Sequence, residues 1–114
     1  MSQSAKVKTH WRNLPAEETT DQYLERRCDH LMTEFPEAES FEISLNVEGK
    51  EIECHAHVDG KRTRLAAHAS GAQSSRQAAE NVLDKLEREM RREHDKRIFT
   101  SRRKAQKSQT KRLE

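Results

Sequence analysis

The chain has 114 residues, 32% hydrophobic and 37% charged, with a net charge of +2. That length suits one domain with a small core, and the absence of any run of about 18 apolar residues excludes a helical membrane span. Two cysteines without CxxC spacing, and an N-terminal MSQSAKVKTHW lacking the apolar run of a secretory leader, lead us to expect a reduced, cytoplasmic protein.

Residues 5–11 (AKVKTHW) alternate, with Val7, Thr9 and Trp11 on one side and Lys6, Lys8 and His10 on the other, which predicts a short strand with one buried face. Asn13-Leu14-Pro15 breaks it, and Pro15 followed by Glu17 and Glu18 suits the first turn of a helix. Leu24, Cys28, Leu31 and Phe35 then make a helical seam that Pro36 ends. Phe41, Ile43, Leu45 and Val47 alternate with polar residues, Gly49-Lys50 turns the chain, and Ile52, Cys54, Ala56 and Val58 repeat the alternation. Asp59-Gly60 is the natural place for a type I′ hairpin turn. A further strand faces Leu65, Ala67 and Ala69 inward, Ser70-Gly71-Ala72 reads as a loop, and Ser74 or Ser75 is placed to cap the last helix. There Ala79, Val82, Leu83, Leu86 and Met90 form the seam. The predicted order is β-α-β-β-β-α: an α+β fold with two helices packed on one face of a four-stranded sheet, and a domain boundary near residue 98.

Charge is distributed unevenly along this plan. From Lys96 onward eight Lys/Arg face one acid, Glu114, so that end carries +7 while residues 1–95 carry −5. On the last helix Lys85, Arg88, Arg92 and Lys96 cluster a third of a turn or more from the seam, at about 100° per residue. Such a face neutralises phosphates and releases condensed counterions without reading bases, and Arg adds a planar fork that grips phosphate or stacks on a base. With aromatics scarce and mostly in seams, stacking platforms for single strands are not expected. An ordinary solvated face supported by pairs such as Asp84–Arg88 and Glu87–Arg91 is the plainer alternative. Residues 99–114, without a seam, are expected to be a flexible basic extension that orders on binding.

The stretch VLDKLEREMRREHDK, together with HVDGK and LAAHASG, resembles the ribosome hibernation promoting factor and ribosome-associated inhibitor family over about residues 5–98. The resemblance implies a bacterial protein that sits on the small ribosomal subunit. There it would touch ribosomal RNA and neighbouring ribosomal proteins in the channel of mRNA and tRNA anticodon arms, and keep idle ribosomes inactive. It implies no cofactor, metal, small-molecule substrate or catalysis. Arg27 and His30 occupy first-helix positions where the family usually carries basic residues. The expected RNA contacts are therefore Arg27, His30, Lys85, Arg88, Arg91, Arg92, Lys96 and Arg97, with Arg102, Arg103 and Lys104 from the extension. Two features depart from the family pattern: SSRQAAEN places Arg76 near a position that is often Tyr, and the first helix has fewer lysines.

A general double-stranded-RNA-binding module shares a similar plan, but QSSRQAAE lacks its Lys-rich helix start. SGAQSS resembles the Gly-Gly-Gln of ribosome-rescue hydrolases, with Ala72 in place of the second glycine. His55, His57 and His68 can share the open sheet face, but Cys54 points the other way and a structural zinc site wants a fourth ligand. These histidines are read as exposed sheet residues, and Cys28 and Cys54 as small core residues.

Overall fold

A computed structural model describes residues 6–113, with side chains described for residues 6–96. The elements follow the expected order: β1 (Val7–Arg12), α1 (Glu18–Glu34), β2 (Ala38–Glu48), β3 (Glu51–Gly60), β4 (Thr63–Ala72) and α2 (Ser75–Leu113). The sheet runs β1-β2-β3-β4, with β1 parallel to β2 and the other pairs antiparallel. Parallel neighbours need a crossover, and α1 supplies it.

Alternation then decides which face the helices cover. Val7 lies opposite Phe41, Ile43 opposite Ala56 and Leu45 opposite Cys54, and all six are buried. Against them pack Leu24, Cys28 and Leu31 of α1 with Phe35 at its C-cap, and Ala79, Val82, Leu83, Leu86 and Met90 of α2, so every expected helical seam position is in the core. Burying a Leu or Phe is worth about 1.5–3 kcal/mol. Lys8, Glu42, His55, His57 and His68 stand on the other face, which is exposed.

Helix ends differ in quality. α1 starts at Glu18 rather than in the Pro15 turn, because Glu17 keeps an extended backbone; its carbonyl accepts from the Asp21 amide at 2.9 Å, while its carboxylate accepts from the Thr20 hydroxyl at 3.2 Å and caps no amide. At α2 the choice between two serines is settled. The Ser74 hydroxyl accepts from the Gln77 amide at 3.1 Å, while the Gln77 side chain accepts from the Gln73 amide at 3.1 Å, a reciprocal arrangement. Ser75 is buried instead.

Two turns differ from expectation. Gly60 pairs with Thr63, so the β3–β4 loop is Lys61-Arg62, with Arg62 at φ 58°, and not Asp59-Gly60. Gly60 is required for another reason: a Cβ there would collide with the carbonyl oxygen of Glu37, which accepts from the Lys61 amide at 3.1 Å. Ser70-Gly71-Ala72 is not a loop but the end of β4. The register slips between Ile52 and Cys54, so that Ile52 faces Ala72 and Cys54 faces Ala69, with Gly71 at φ 80°. That is a bulge, and a glycine with positive φ is its usual occupant.

The last helix runs well past its seam, which ends at Met90. No glycine or proline follows Gly71 to stop it, and Lys, Arg, Gln and Ala favour helix. Just past the seam the helix is still held by polar contacts, Arg91 to Glu34 and His94 to Glu37 with its ring edge-on to Phe35; a segment resting on propensity alone is marginal. The side chains of Arg97, Arg102, Arg103 and Lys104, expected to contact RNA, lie outside the described residues, as does Ala5 at the start of the first strand.

Candidate nucleic-acid interface

The seam of α2 faces the sheet, so the residues about half a turn away must face solvent. Lys85, Arg88, Arg92 and Lys96 are all exposed along one stripe. Among the described residues Arg88 and Lys96 form no ion pair. Arg92 is 3.5 Å from Glu89 and remains 65% exposed, so that contact leaves most of its surface open. Lys85 is committed differently: its Nζ donates to the main-chain oxygen of His68 on β4 at 2.9 Å. Between this helix face and β4 lies a shallow depression of about 310 Å³, floored by Ala66 and Ala67 and rimmed by Lys85, Arg88, Glu89 and Arg92. Small residues on the strand leave room beside three cations.

Arg27 and Arg91, also expected to contact RNA, are engaged within the protein. Arg27 donates to the Tyr23 hydroxyl at 2.6 Å, to Asp84 at 2.8 Å and to Glu87 at 3.1 Å, tying α1 to α2. Burial acts to lower the pKa of its guanidinium, but the bonds to Asp84, Tyr23 and Glu87 outweigh it and raise the value above the usual range. Arg91 donates to Glu34 of α1 at 2.6 Å and to Glu87 at 3.1 Å, and those two bonds, Glu34 first, raise its pKa. Sequence shows the Glu87–Arg91 pair on one helix; it does not show that Glu34 and Asp84 arrive from opposite helices. His30 is 77% exposed on α1 and 3.9 Å from Glu34.

Tyr23 joins the same helix–helix seam from above. The guanidinium of Arg76 lies over its ring at 3.8 Å, and Arg76 also donates to Glu80 at 3.0 Å. Thus the Arg that departs from the family pattern stacks on an aromatic ring supplied by α1.

On the open sheet face the three histidines are not equivalent. His55 and His68 are directly opposite and stack with ring centroids 4.3 Å apart. His57 lies one pleat away, opposite Glu42 and Ala66. The neighbour that joins the stacked pair is Glu53, whose Oε2 is 3.5 Å from His68 Nε2. Strand alternation already puts Glu53 and His55 on one face, a signal in the sequence that the three histidines alone do not carry. Cys28 and Cys54 are free and fully buried, as expected. In SGAQSS, Gly71 belongs to the β4 bulge and Ala72 is buried beneath it.

Comparison with known proteins adds to this geometry. No curated protein matches the sequence. A ribosomal subunit interface protein from Coxiella burnetii has a similar structure, with a TM-score of 0.70 at 11% identity over 78% of this chain and 97% of its own. The N-terminal domain of Protein Y from Thermus thermophilus superposes with a TM-score of 0.65 at 22% identity, over 75% of this chain and 93% of its own. These likenesses establish the fold. The family model described as sigma 54 modulation protein / S30EA ribosomal protein matches residues 7–98, the stretch over which the sequence resembles the hibernation factors, and the chain belongs to that family.

Proposed function

We propose that this protein binds the small ribosomal subunit and, in resting cells, occupies the decoding channel so that mRNA and tRNA anticodon arms cannot enter. The observation that carries the reading is the exposed α2 stripe, in which Arg88, Arg92 and Lys96 keep their charge open to solvent, the first two beside the depression at Ala66 and Ala67. Phosphates fit such a stripe, and their neutralisation makes affinity fall steeply with salt. Membership of a family of ribosome-associated proteins makes ribosomal RNA the natural polyanion, and occlusion requires no catalysis.

Arg27 and Arg91 serve the interface indirectly, by fixing α1 beside α2, and His30 contributes from the exposed side of α1. Arg97 adds a cation at the end of the 1–98 domain, while Arg102, Arg103 and Lys104 belong to a basic extension, residues 99–114, that settles along adjacent RNA. The protein works in the cytoplasm, and no helix among the described residues is long and apolar enough to cross a membrane.

Co-sedimentation of the purified chain with separated 30S and 50S subunits, at low and high salt, tests this. Saturable, salt-sensitive binding to 30S alone supports occlusion. Equal binding to both subunits and to plain duplex RNA would make the protein a general RNA binder.

A further inference from the structure

The Glu53, His55 and His68 side chains of the open sheet face bring one carboxylate and two imidazoles together without any help from the cationic stripe. One donor atom from each lies within 4.8 Å of the other two. We propose that these residues form a binding site for a divalent transition-metal ion of the zinc class, held by two imidazole nitrogens and one carboxylate oxygen and completed by water.

The sheet itself builds the cluster. His55 and His68 are directly opposite across β3 and β4, and their rings stack at 4.3 Å with 27° between planes, so both imidazoles project from the same patch. Glu53 is two residues from His55 on β3 and therefore on the same face. At the β4 bulge two residues, Ser70 and Gly71, lie across from Glu53, which has no single register partner there. Bulges beside functional groups commonly re-aim a side chain, and here the carboxylate reaches His68 at 3.5 Å.

Distances suit a small ion. A tetrahedral ion with bonds of about 2.0–2.2 Å spaces its donor atoms roughly 3.3–3.6 Å apart. His68 Nε2 and Glu53 Oε2 already have that spacing, and no two of the three donor atoms are more than 4.8 Å apart. Imidazole with carboxylate is a donor set for zinc, nickel, copper or iron rather than magnesium or calcium.

The carboxylate is also oriented from behind. Asn46 Nδ2 donates to Glu53 Oε1 at 3.1 Å, and Asn13 Nδ2 donates to Asn46 Oδ1 at 2.9 Å. This relay runs from the end of β1 through β2 and leaves the other oxygen, Oε2, for the histidine side. Outer hydrogen bonds of this kind fix the ligand and tune its affinity. A third histidine at position 57 lies outside the group and serves as the internal control.

The test is titration of the tag-free full chain with Zn²⁺ by calorimetry, and with Co²⁺ by visible absorption, whose bands report coordination geometry. The expected result is one ion per chain. His68→Ala, His55→Ala and Glu53→Gln each weaken it at least tenfold, Asn46→Ala weakens it about 10- to 100-fold, and His57→Ala leaves it unchanged. Circular dichroism verifies that each variant is folded, which exposed positions favour. No saturable binding by the wild-type chain would overturn the proposal, as would an equal loss in His57→Ala, or Co²⁺ spectra unaltered by His68→Ala.

Discussion

Arg27 of α1 donates to Asp84 of α2 at 2.8 Å, and in doing so spends its charge inside the protein. The pair is one edge of a small network in which Glu87 accepts from both Arg27 and Arg91, and Arg91 reaches back to Glu34 of α1. A basic residue can thus belong to a family pattern and still be engaged elsewhere. Replacing Arg27 with Ala leaves Asp84 and Glu87 facing each other and is expected to cost about 1–2 kcal/mol. Urea denaturation measures that directly. Binding to 30S subunits should change little once the unfolded fraction is subtracted; a loss as large as that of an α2 stripe variant would place Arg27 at the interface itself.

The stripe makes the opposite prediction. Arg88→Glu combined with Arg92→Glu should leave the melting temperature nearly unaltered, since exposed positions away from special contacts shift stability by about 0.5 kcal/mol or less. Subunit binding should fall strongly, and the slope of log affinity against log salt should flatten by about 2. Retained affinity and slope would remove the stripe from the interface. Leu86→Asp, by contrast, puts an unpaired charge at a fully buried site and should unfold the domain.

Two glycines separate crowding from backbone strain. At Gly60 a methyl group meets the Glu37 carbonyl, so Gly60→Ala must displace the start of β2 and should cost roughly 2–4 kcal/mol. At Gly49 nothing lies within 4 Å and only the φ of 67° resists a side chain, so Gly49→Ala should cost about 1 kcal/mol. Equal costs, read from thermal or urea midpoints, would contradict this division.

Both thiols titrate abnormally. Burial pushes Cys28 and Cys54 up to about 12 from an ordinary value of 9.0. The folded chain therefore holds protons that the unfolded chain releases first. The stabilisation from this difference is complete below about pH 9 and is lost as the pH rises toward 12. Urea midpoints should decline across that window and decline less in a Cys28→Ala, Cys54→Ala double variant. At pH 8 iodoacetamide should label neither cysteine faster than the protein unfolds.

Much of this was legible along the chain because each element carries a clean period. Leu24, Cys28 and Leu31 mark one helix, Phe41, Ile43 and Leu45 a strand, and Val82, Leu83 and Leu86 the other helix, and all are buried. What escaped depends on partners far away in sequence. Gly60 looked like a turn residue because its real constraint comes from Glu37, and Ser70-Gly71 looked like a loop because a bulge keeps the strand paired across a glycine. Arg27 looked free, and Arg91 paired only within its own helix, because Asp84 and Glu34 reach them only after α1 and α2 pack. Glu53 was overlooked beside His55 because acids on strand faces are common, and only the register with β4 brings His68 to it.

The bond from Lys85 to His68 has a further consequence. β4 is an outer strand of the sheet, and such strands offer main-chain groups to any other strand that arrives. Lys85 reaches over from α2 and occupies one of those oxygens with a cation. A second copy of the chain approaching this side meets positive charge where it would need an open acceptor. The contact therefore takes one acceptor on this edge out of reach of strand addition.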